Sequence, residues 1–375
     1  MKTVLQLLFI LLWIASCETG KPMTYEELKE EFKKSSDKVL KLKYRVHRID
    51  TFTGGHVWNH RGVALVERRS GDKMLGYSFY GKRDDFSQEF IYDNDKFFGV
   101  SRADKTYSVD RAGRGIMGSP GGQMVFDEFF ALDSVYTSVS VKETDNSYVI
   151  RYEYPDDTLY NNTNSWKTIE LDRTMFLPRS ISRSVKGLDG KYSVNVTFDS
   201  LKINDEVTNS IDDLKSVTDI KDGISGFTML LPPTKKVNPI LGKQFRALRL
   251  ENIVTGLVEE IGQTEDKKRK PILIDFWEHW CGPCIRSLPE VERLSKAYAE
   301  QLVVAGIAGD EKEKTLKRLE ASKISFDNFH GNANIAQTFG VNSWPRYFLI
   351  DKNGVIRKEY HGFSDQIEVD IKAML

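Results

Sequence analysis

The chain has 375 residues, of which 40% are hydrophobic and 29% are charged. This balance excludes a mostly disordered protein, and the length is sufficient for two or three domains. Lysine and arginine total 54, as do aspartate and glutamate, so the formal net charge is zero and gives no sign of a nucleic-acid partner. The three cysteines, Cys17, Cys281 and Cys284, are too few for a small scaffold held together by several disulfides.

The first 16 residues have the pattern of a targeting segment. Lys2 is followed by a mostly apolar run from Val4 to Ala15. About 12 residues at a rise of 1.5 Å each span roughly 18 Å, which is too short for a bilayer core of about 30 Å. The segment therefore predicts a cleaved signal peptide, residues 1–16, rather than a membrane-spanning anchor.

The end of this segment, Ile14-Ala15-Ser16-Cys17, resembles the lipobox of bacterial lipoproteins. The resemblance implies cleavage before Cys17 and lipidation of Cys17, whose acyl chains would attach the protein to a membrane. An ordinary secretory signal with a chance cysteine is the alternative. If Cys17 is lipidated, residues 17–23 form a tether that holds the protein in the bacterial cell envelope, facing the periplasm. Glu18 follows the cysteine in place of the aspartate that favours inner-membrane retention, which points to the outer membrane.

Residues 24–222 predict a mainly antiparallel β domain that begins with a helix. The apolar residues between Thr24 and Leu42 recur at helical spacing, and Thr24 can cap the first turn. Beyond this helix, short alternating segments are separated by turn signals such as Gly54-Gly55 and Asp189-Gly190. A second helix is expected over Val125–Leu132, where it would interrupt the strands.

This order of a helix, many antiparallel strands and a helical plug resembles the lipoprotein-carrier fold of the LolA and LolB type. The segments that carry the resemblance are Phe90-Ile91-Tyr92-Asp93, Ile169-Glu170-Leu171-Asp172 and Leu177-Pro178-Arg179. It implies a curved half-barrel that closes over an apolar cavity, where a lipid or an acylated peptide could bind. The resemblance implies a binding cavity and no catalytic reaction.

One glycine pattern in this domain could be mistaken for a cofactor site. Gly113, Gly115 and Gly118 spell G-x-G-x-x-G, the fingerprint of dinucleotide-binding proteins. That fingerprint requires a strand before it and a helix directly after it, whereas Ser119-Pro120-Gly121-Gly122 follows here. We therefore expect a loop, and no cofactor is predicted.

Residues 223–242 predict a linker, because Pro232, Pro233 and Pro239 are unsuited to regular structure. Residues 243–375 predict an α/β domain in which apolar strands alternate with helices. Strands are expected over residues 271–277, 302–308, 347–351 and 355–360, with one helix after the first strand and another over residues 311–322.

Between the first of these strands and its helix lies Trp280-Cys281-Gly282-Pro283-Cys284, which is the thioredoxin active-site sequence. Pro289, Trp344-Pro345 and Gly362 also fit the family, at the positions of the proline in the active-site helix, the cis-proline loop and the glycine after the last strand. The domain therefore resembles a thioredoxin fold. The inserted stretch Gly309–Asn334 and the secreted context resemble the TlpA-like branch of the family.

The spacing of the two cysteines predicts a redox pair. Cys281 is expected at a helix N-terminus, where free N–H groups and the helix dipole stabilise a thiolate, so Cys281 is the predicted nucleophile. Cys284 lies one turn further along and can resolve a mixed disulfide by bonding to Cys281, while Gly282 and Pro283 keep the loop tight. A structural zinc ion would need four ligands, and the sequence has no second cysteine pair, so no metal is predicted. A purely structural disulfide is the other alternative.

Two titratable residues before the cysteines are candidates for accepting or donating protons in the reaction. Asp275 lies in an apolar strand, where desolvation would raise its pKa and let it accept the proton of Cys284. The matching aspartate has this role in thioredoxins; a carboxylate rotated towards water is the alternative. His279 is expected to be a solvated loop histidine, and the alternative is that its protonated form favours the thiolate of Cys281.

The family resemblance also implies a docking loop for substrates. Pro345, in the cis form, would expose backbone groups to a substrate segment, and Trp344 before it would narrow the range of disulfides that dock. Trp280 is expected to pack beside the site. Many TlpA-like proteins of cytochrome c maturation carry a glutamate three residues after the second cysteine, where this chain has Ser287. That difference argues against a dedicated role in cytochrome c maturation.

These observations predict an extracytoplasmic, membrane-anchored thiol–disulfide oxidoreductase that acts on protein thiols and disulfides. The Gly-Pro dipeptide resembles reducing members of the family, so a reductase is favoured over an oxidase. A membrane or periplasmic donor, not identified by the sequence, would supply the electrons. The alternatives are a lipid- or lipoprotein-binding module whose thioredoxin domain serves docking, and a thiol peroxidase.

Overall fold

A computed structural model describes residues 22–211, 227–231, 238–262 and 270–375. The predicted signal peptide, the lipidation site Cys17, and most of the predicted tether and linker lie outside the described residues. Within the described ranges the strands form two separate sheets, of 12 and 7 strands.

The amino-terminal sheet is mainly antiparallel, as predicted. Helix α1 (Tyr25–Asp37) precedes it. Its strands are β1 (Lys41–Thr51), β2 (Val57–Arg68), β3 (Tyr77–Arg83), β4 (Glu89–Asp93), β5 (Lys96–Ser101), β6 (Thr106–Arg111), β7 (Ser138–Glu143), β8 (Ser147–Glu153), β9 (Thr163–Asp172), β10 (Pro178–Gly187), β11 (Gly190–Ile203) and β12 (Thr228–Met229). Their spatial order is β12-β6-β5-β4-β3-β2-β1-β11-β10-β9-β8-β7. The sheet therefore has two edges, β7 and β12, and its described strands do not close into a barrel.

The predicted first helix is shorter in the structure. Thr24 caps α1 with a reciprocal capping box to Glu27, but the helix ends at Asp37 and Leu42 belongs to β1. Packing explains the difference. Leu28 packs into a cluster with residues of β8 and β9, whereas Leu42 packs into the main core of the sheet, so the chain must turn between them.

The predicted helix over residues 125–132 is wrong: only a single 3-10 turn, Asp127–Phe129, forms there. Val125 and Phe126 have extended backbones, and both are buried together with Phe129. Tertiary packing decides the conformation here, because Val125, Phe126 and Phe129 all belong to the main core of the sheet, where the Phe129 ring stacks on Tyr44 at 4.9 Å.

The glycine fingerprint is not part of a nucleotide-binding unit. Residues Arg114–Gly118 form a short 3-10 helix rather than the expected loop, and a second 3-10 helix, Gly122–Met124, follows. The neighbouring Gly121 allows a close backbone contact, because a Cβ atom there would lie 2.5 Å from the carbonyl oxygen of Gly81. Gly121 thus lets the chain approach the backbone of strand β3, whereas Gly113, Gly115 and Gly118 have open space around them.

The carboxy-terminal domain has helices on both faces of a mixed sheet. Its strands are β13 (Leu248–Asn252), β14 (Val258–Ile261), β15 (Ile272–Phe276), β16 (Val303–Ala308), β17 (Asp327–His330), β18 (Arg346–Ile350) and β19 (Ile356–His361). Its helices are α2 (Gly282–Ala297), α3 (Lys312–Ala321), α4 (Ala333–Thr338) and α5 (Gln366–Met374). The spatial order is β14-β13-β17-β16-β15-β18-β19, with β15 parallel to β16 and antiparallel to β18. This is the arrangement expected from the thioredoxin resemblance.

Strand β15 is buried on both faces, which explains its apolar sequence. Ile272, Ile274 and Phe276 pack against one cluster that includes Phe339, next to α4. Leu273 packs in the opposite cluster with Cys284 and the apolar face of α2. Since side chains alternate along a strand, Asp275 faces this second cluster.

The two domains meet at the side of α3. The guanidinium of Arg318 donates hydrogen bonds to the carbonyl oxygen of Tyr160 at 3.2 Å and to Oδ1 of Asn161 at 2.9 Å. Tyr160 and Asn161 lie in the loop before β9, and Arg318 is buried. A polar contact therefore fixes one end of the amino-terminal sheet to the carboxy-terminal domain. No helix among the described residues combines the length and the apolar character needed to cross a membrane.

Candidate active site

Cys281 and Cys284 form a disulfide at the start of helix α2. Their Cα atoms are 5.2 Å apart, and Cys281 is the N-cap residue. The Sγ atom of Cys281 accepts a hydrogen bond from the backbone N–H of Cys284 at 3.2 Å. Pro283 lies in the first turn of α2. Backbone N–H groups there have no acceptor within the helix, so the N–H group that proline lacks costs no hydrogen bond. In the reduced protein the same N–H group and the helix dipole would stabilise a thiolate on Cys281.

Both cysteines are buried: Cys281 is 5% exposed, Cys284 is 1% exposed, and both belong to the apolar cluster beside α2. The assignment of Cys281 as the nucleophile therefore depends on its position at the helix N-terminus, with Cys284 one turn further along.

Asp275 is a buried carboxylate without a hydrogen-bonding neighbour for one of its oxygens. The residue is 1% exposed, and its Oδ1 atom has no hydrogen-bond partner within the described part of the chain. Burial raises the pKa of Asp275 well above its ordinary value. The side chain is thus not turned towards water, and it lies on the same face of β15 as the cluster that contains Cys284.

Two hydroxyl groups, which the sequence reasoning did not assign to the site, extend this buried polar region. Tyr347 lies directly opposite Asp275 in the β15–β18 pairing. Its hydroxyl is 2.8 Å from Oγ of Ser287, which in turn donates to the carbonyl oxygen of Cys284 at 2.9 Å. Desolvation, followed by the Asp275 charge, raises the pKa of Tyr347. A partial signal existed: Tyr347 lies two residues after the proposed docking proline, at the start of the strand predicted over residues 347–351.

Of the proposed docking residues, Trp344 is half-buried and Pro345 is buried. The peptide bond between Trp344 and Pro345 is cis. The rings of Trp280 and Trp344 pack edge to face at 5.7 Å, and Trp280 remains 55% exposed. The two tryptophans border a cavity of about 600 Å³ that Phe276 and Ile307 also line. The cavity therefore borders the active-site loop at Trp280, the residue before Cys281.

Glu278 is a structural residue of the site that the sequence reasoning missed. Its carboxylate accepts hydrogen bonds from the backbone N–H groups of Gly309 at 3.0 Å and Asp310 at 3.1 Å. Asp310 accepts a hydrogen bond from the indole N–H of Trp280 at 2.6 Å. Burial raises the pKa of Glu278, although the two backbone hydrogen bonds oppose the shift. Glu278 thus ties the loop after β16 to the active-site loop and fixes the position of Trp280.

The prediction that His279 is a solvated loop histidine is wrong, since the residue is only 5% exposed. Burial lowers the pKa of His279, although the Asp189 and Asp310 carboxylates oppose the shift. A neutral imidazole at pH 7 offers Cys281 no positive charge, so stabilisation of the thiolate falls to the helix N-terminus. Asp189 belongs to the β10–β11 turn, which shows that the amino-terminal domain reaches this flank of the site. A sequence alone gives no sign of that neighbour.

One group of side chains could hold a metal ion. Ligand atoms of Glu278, His279 and Asp310 all lie within 4.8 Å of one another. The two carboxylates already accept the hydrogen bonds described above, so a cation would compete with Trp280 and two backbone N–H groups. The absence of a metal therefore stays a prediction.

Comparison with known proteins gives matches that involve the region of the cysteine pair. The AhpC/TSA family matches residues 241–359. Thioredoxin-like protein YneN of Bacillus subtilis is 30% identical over 117 residues, which are 30% of this chain and 69% of that protein. Thiol:disulfide interchange protein DsbE of Yersinia pestis is 31% identical over 137 residues, which are 35% of this chain and 69% of that protein.

Among solved structures, a thiol-disulfide oxidoreductase from Bacteroides fragilis is similar to this chain. The match has 20% sequence identity and a TM-score of 0.32, and it covers 36% of this chain and all of that one.

Proposed function

Because this chain belongs to the thioredoxin-like thiol–disulfide oxidoreductases, we propose that its cysteine pair reduces disulfides in client proteins outside the cytoplasm. The observation that carries the proposal is the Cys281–Cys284 disulfide at the N-terminus of α2, with the buried Asp275 carboxyl on the adjacent strand. The helix end supports the attacking thiolate, and the buried carboxylate supports deprotonation of the second thiol.

The proposed reaction begins with the reduced pair. The Cys281 thiolate attacks one sulfur of a client disulfide, so that a bond forms between Cys281 and that sulfur while the other client sulfur leaves as a thiolate. The Cys284 thiol then gives its proton to Asp275 and attacks the sulfur of Cys281. The second client sulfur leaves, and the client has gained two electrons. The pair is left as the disulfide seen here, and a dithiol donor must reduce it again.

Trapping tests the two cysteine roles. A Cys284→Ala protein should accumulate covalent complexes with clients, because the mixed disulfide on Cys281 cannot be resolved. A Cys281→Ala protein should form none and serves as the matched control. Full insulin-reducing activity of the Cys284→Ala protein, with no trapped complex, would contradict the assignment. The midpoint potential of the pair would then distinguish reduction from oxidation as the direction of electron flow.

We further propose that Cys17 carries the lipid that anchors the protein in the cell envelope, facing the periplasm and on the outer membrane. The resemblance of Ile14-Ala15-Ser16-Cys17 to the lipobox supports this proposal. Cells grown with labelled palmitate should incorporate label into the wild-type protein and not into a Cys17→Ala variant. Label in the variant would place the lipid elsewhere or show that none is attached at Cys17.

A second candidate function is the binding of a lipid or acyl group in a half-barrel formed by the amino-terminal sheet. The observation that supports it is a cavity of about 450 Å³ between the 3-10 helices and strands β9–β11. Ile181, Val194 and Val196 line one part of it, and charged residues that include Glu128 and Lys167 line another. Native mass spectrometry of the full chain should reveal a retained lipid if this function exists. Peroxide consumption by the full chain tests the remaining alternative, a thiol peroxidase.

A further inference from the structure

The buried region beside Cys284 contains a hydrogen bond that joins the sheet to helix α2. The hydroxyl of Tyr347, in β18, donates to Oγ of Ser287, in α2, at 2.8 Å. Both residues are buried. Because a buried phenol hydroxyl needs a hydrogen-bond partner, this bond favours one arrangement of the helix on the strand.

Ser287 extends the contact to the backbone of the resolving cysteine. Its hydroxyl donates to the carbonyl oxygen of Cys284 at 2.9 Å and lies 3.2 Å from that of Pro283. A serine within a helix commonly donates to the carbonyl groups of the preceding turn in this way. Here the same hydroxyl also accepts the bond from Tyr347. Strand β18 is thus tied to the first turn of α2 at the residue that carries the resolving thiol.

The proposed proton acceptor lies on the neighbouring strand, in the same row. Asp275 in β15 is directly opposite Tyr347 in β18. Residues that are directly opposite in an antiparallel pair share a face, with Cβ atoms about 5 Å apart. Oδ1 of Asp275 has no hydrogen-bond partner in the described part of the chain that would orient it towards Cys284. The alignment of the carboxyl group with the thiol therefore depends on how α2 lies on β15 and β18.

The tie to β18 becomes more important when the disulfide is broken. Apolar packing, for example of Leu288 in the cluster that contains Cys284, holds α2 on the sheet but has no directional preference. In the oxidised protein the bond between Cys281 and Cys284 also fixes the first turn. That bond is absent at the moment when Cys284 has to react, whereas the bond from Tyr347 to Ser287 does not depend on the redox state of the cysteines.

We propose that Tyr347, acting through Ser287, is a positioning residue for the resolving step. It holds the first turn of α2 so that the Cys284 thiol faces Asp275, which takes its proton. The same arrangement directs the resulting thiolate at the sulfur of Cys281. This inference rests on the proposed function and adds to it a residue for the second half of the reaction. The first attack, by Cys281, depends on the helix N-terminus and does not require this alignment.

Dithiobis(nitrobenzoate), an aromatic disulfide whose halves absorb visible light as free thiolates, separates the two steps. The full chain is used with Cys17→Ser throughout, so that only the reduced active-site pair reacts. The Cys281 thiolate attacks one sulfur of the probe, forms a mixed disulfide and releases the first aromatic thiolate. The Cys284 thiol then gives its proton to Asp275 and attacks the sulfur of Cys281, which releases the second. The rate of the first step depends on probe concentration and that of the second does not, so stopped-flow absorbance distinguishes them.

Tyr347→Phe should leave the first phase unchanged and slow the second at least about fivefold, because a small misalignment of reacting groups is costly. Ser287→Ala should slow the same phase. Adding Tyr347→Phe to the Ser287→Ala protein should slow it no further, since the phenol hydroxyl has already lost its partner. The pH profile of the first phase, which reports the Cys281 thiolate, should match that of the wild type in all three variants.

Tyr360→Phe is the matched control, because it removes the same hydroxyl group from another tyrosine of the domain. Tyr360 lies in β19, and its hydroxyl donates to Oδ2 of Asp370 in α5 at 2.7 Å. That bond ties the sheet to a different helix, so both phases should keep their wild-type rates. A first phase at the wild-type rate in Tyr347→Phe shows in addition that the variant has folded around an intact nucleophile.

The outcomes separate this inference from the proposed function. A wild-type second phase in Tyr347→Phe, or equal slowing of both phases, would overturn the positioning role and leave the oxidoreductase function intact. Slowing of the second phase to the same extent in Tyr360→Phe would attribute the effect to a general loss of stability, against the inference. A wild-type protein that releases only one aromatic thiolate for each reduced pair would instead overturn the resolving role of Cys284, and with it the proposed function.

Discussion

Replacing Asp275 by asparagine should stabilise the oxidised protein, and the gain should grow with pH. Asp275 is buried in the centre of the sheet, and burial raises its pKa well above the ordinary value. Asparagine has nearly the same shape but no proton to lose. The change therefore removes the cost of a buried negative charge without opening a cavity.

The size of the effect follows from proton linkage. In the unfolded chain the aspartate has a pKa of about 3.9, so above this pH the unfolded chain has lost a proton that the folded protein still holds. The free energy of unfolding of the wild-type protein then falls by about 1.4 kcal/mol for each pH unit, until the pH passes the raised pKa of the folded state. The difference between Asp275→Asn and wild type should rise with this slope from about pH 4 and become constant above the raised pKa.

Urea unfolding between pH 4 and pH 9 measures this difference. Hydrogen-exchange mass spectrometry of peptides from Ile272–Phe276 restricts the measurement to the carboxy-terminal domain, and the absence of reductant keeps the disulfide intact. Asp365→Asn, at an exposed position of the same domain, controls for the loss of a carboxylate. A stability difference for Asp275→Asn that does not change with pH would refute the reasoning, because a carboxylate whose pKa is raised by burial must show this dependence.

Two further predictions concern hydrogen bonds of the site and of the domain contact. Tyr347→Phe should lower the free energy of unfolding by about 1 kcal/mol in the wild-type background and by less in a Ser287→Ala background, where the Tyr347 hydroxyl has already lost its partner; Ser287→Ala by itself also removes the hydrogen bond to the carbonyl oxygen of Cys284. Equal losses for Tyr347→Phe in both backgrounds, measured by urea unfolding, would show that the bond contributes nothing. Arg318→Ala should increase hydrogen exchange in the loop over residues 155–162, whereas Arg293→Ala, whose partners lie within the carboxy-terminal domain, should not. Unchanged exchange in the Arg318 variant would mean that other contacts hold the domains together.

The chemistry of the cysteine pair could be read from the sequence because its determinants are local. Cys281 and Cys284 are separated by one helical turn, and Pro283 and the apolar strand before them fix the start of that helix. Burial of Asp275 could also be predicted, since an apolar run of this length indicates a central strand.

The remaining features depend on contacts between distant parts of the chain. The hydrogen bond from Tyr347 to Ser287 requires the pairing of β15 with β18, which no local pattern specifies. Burial of His279 places it within reach of the Asp189 charge, which comes from the other domain. The predicted second helix failed for a related reason: Val125 and Phe129 have helical spacing, but they pack together with Phe126 against distant strands in the main core, and the backbone at Val125 and Phe126 is extended.

The contact at Arg318 has a practical consequence for biochemical work on this protein. A truncated thioredoxin-like fragment that begins near residue 243 would lack the carbonyl and amide oxygens that accept hydrogen bonds from Arg318, and it would lack the Asp189 carboxylate, whose charge acts on His279. Water and buffer ions would replace these groups. Rate constants and thiol titrations obtained with such a fragment would describe a different electrostatic environment, so the intact two-domain chain is the appropriate material for measuring them.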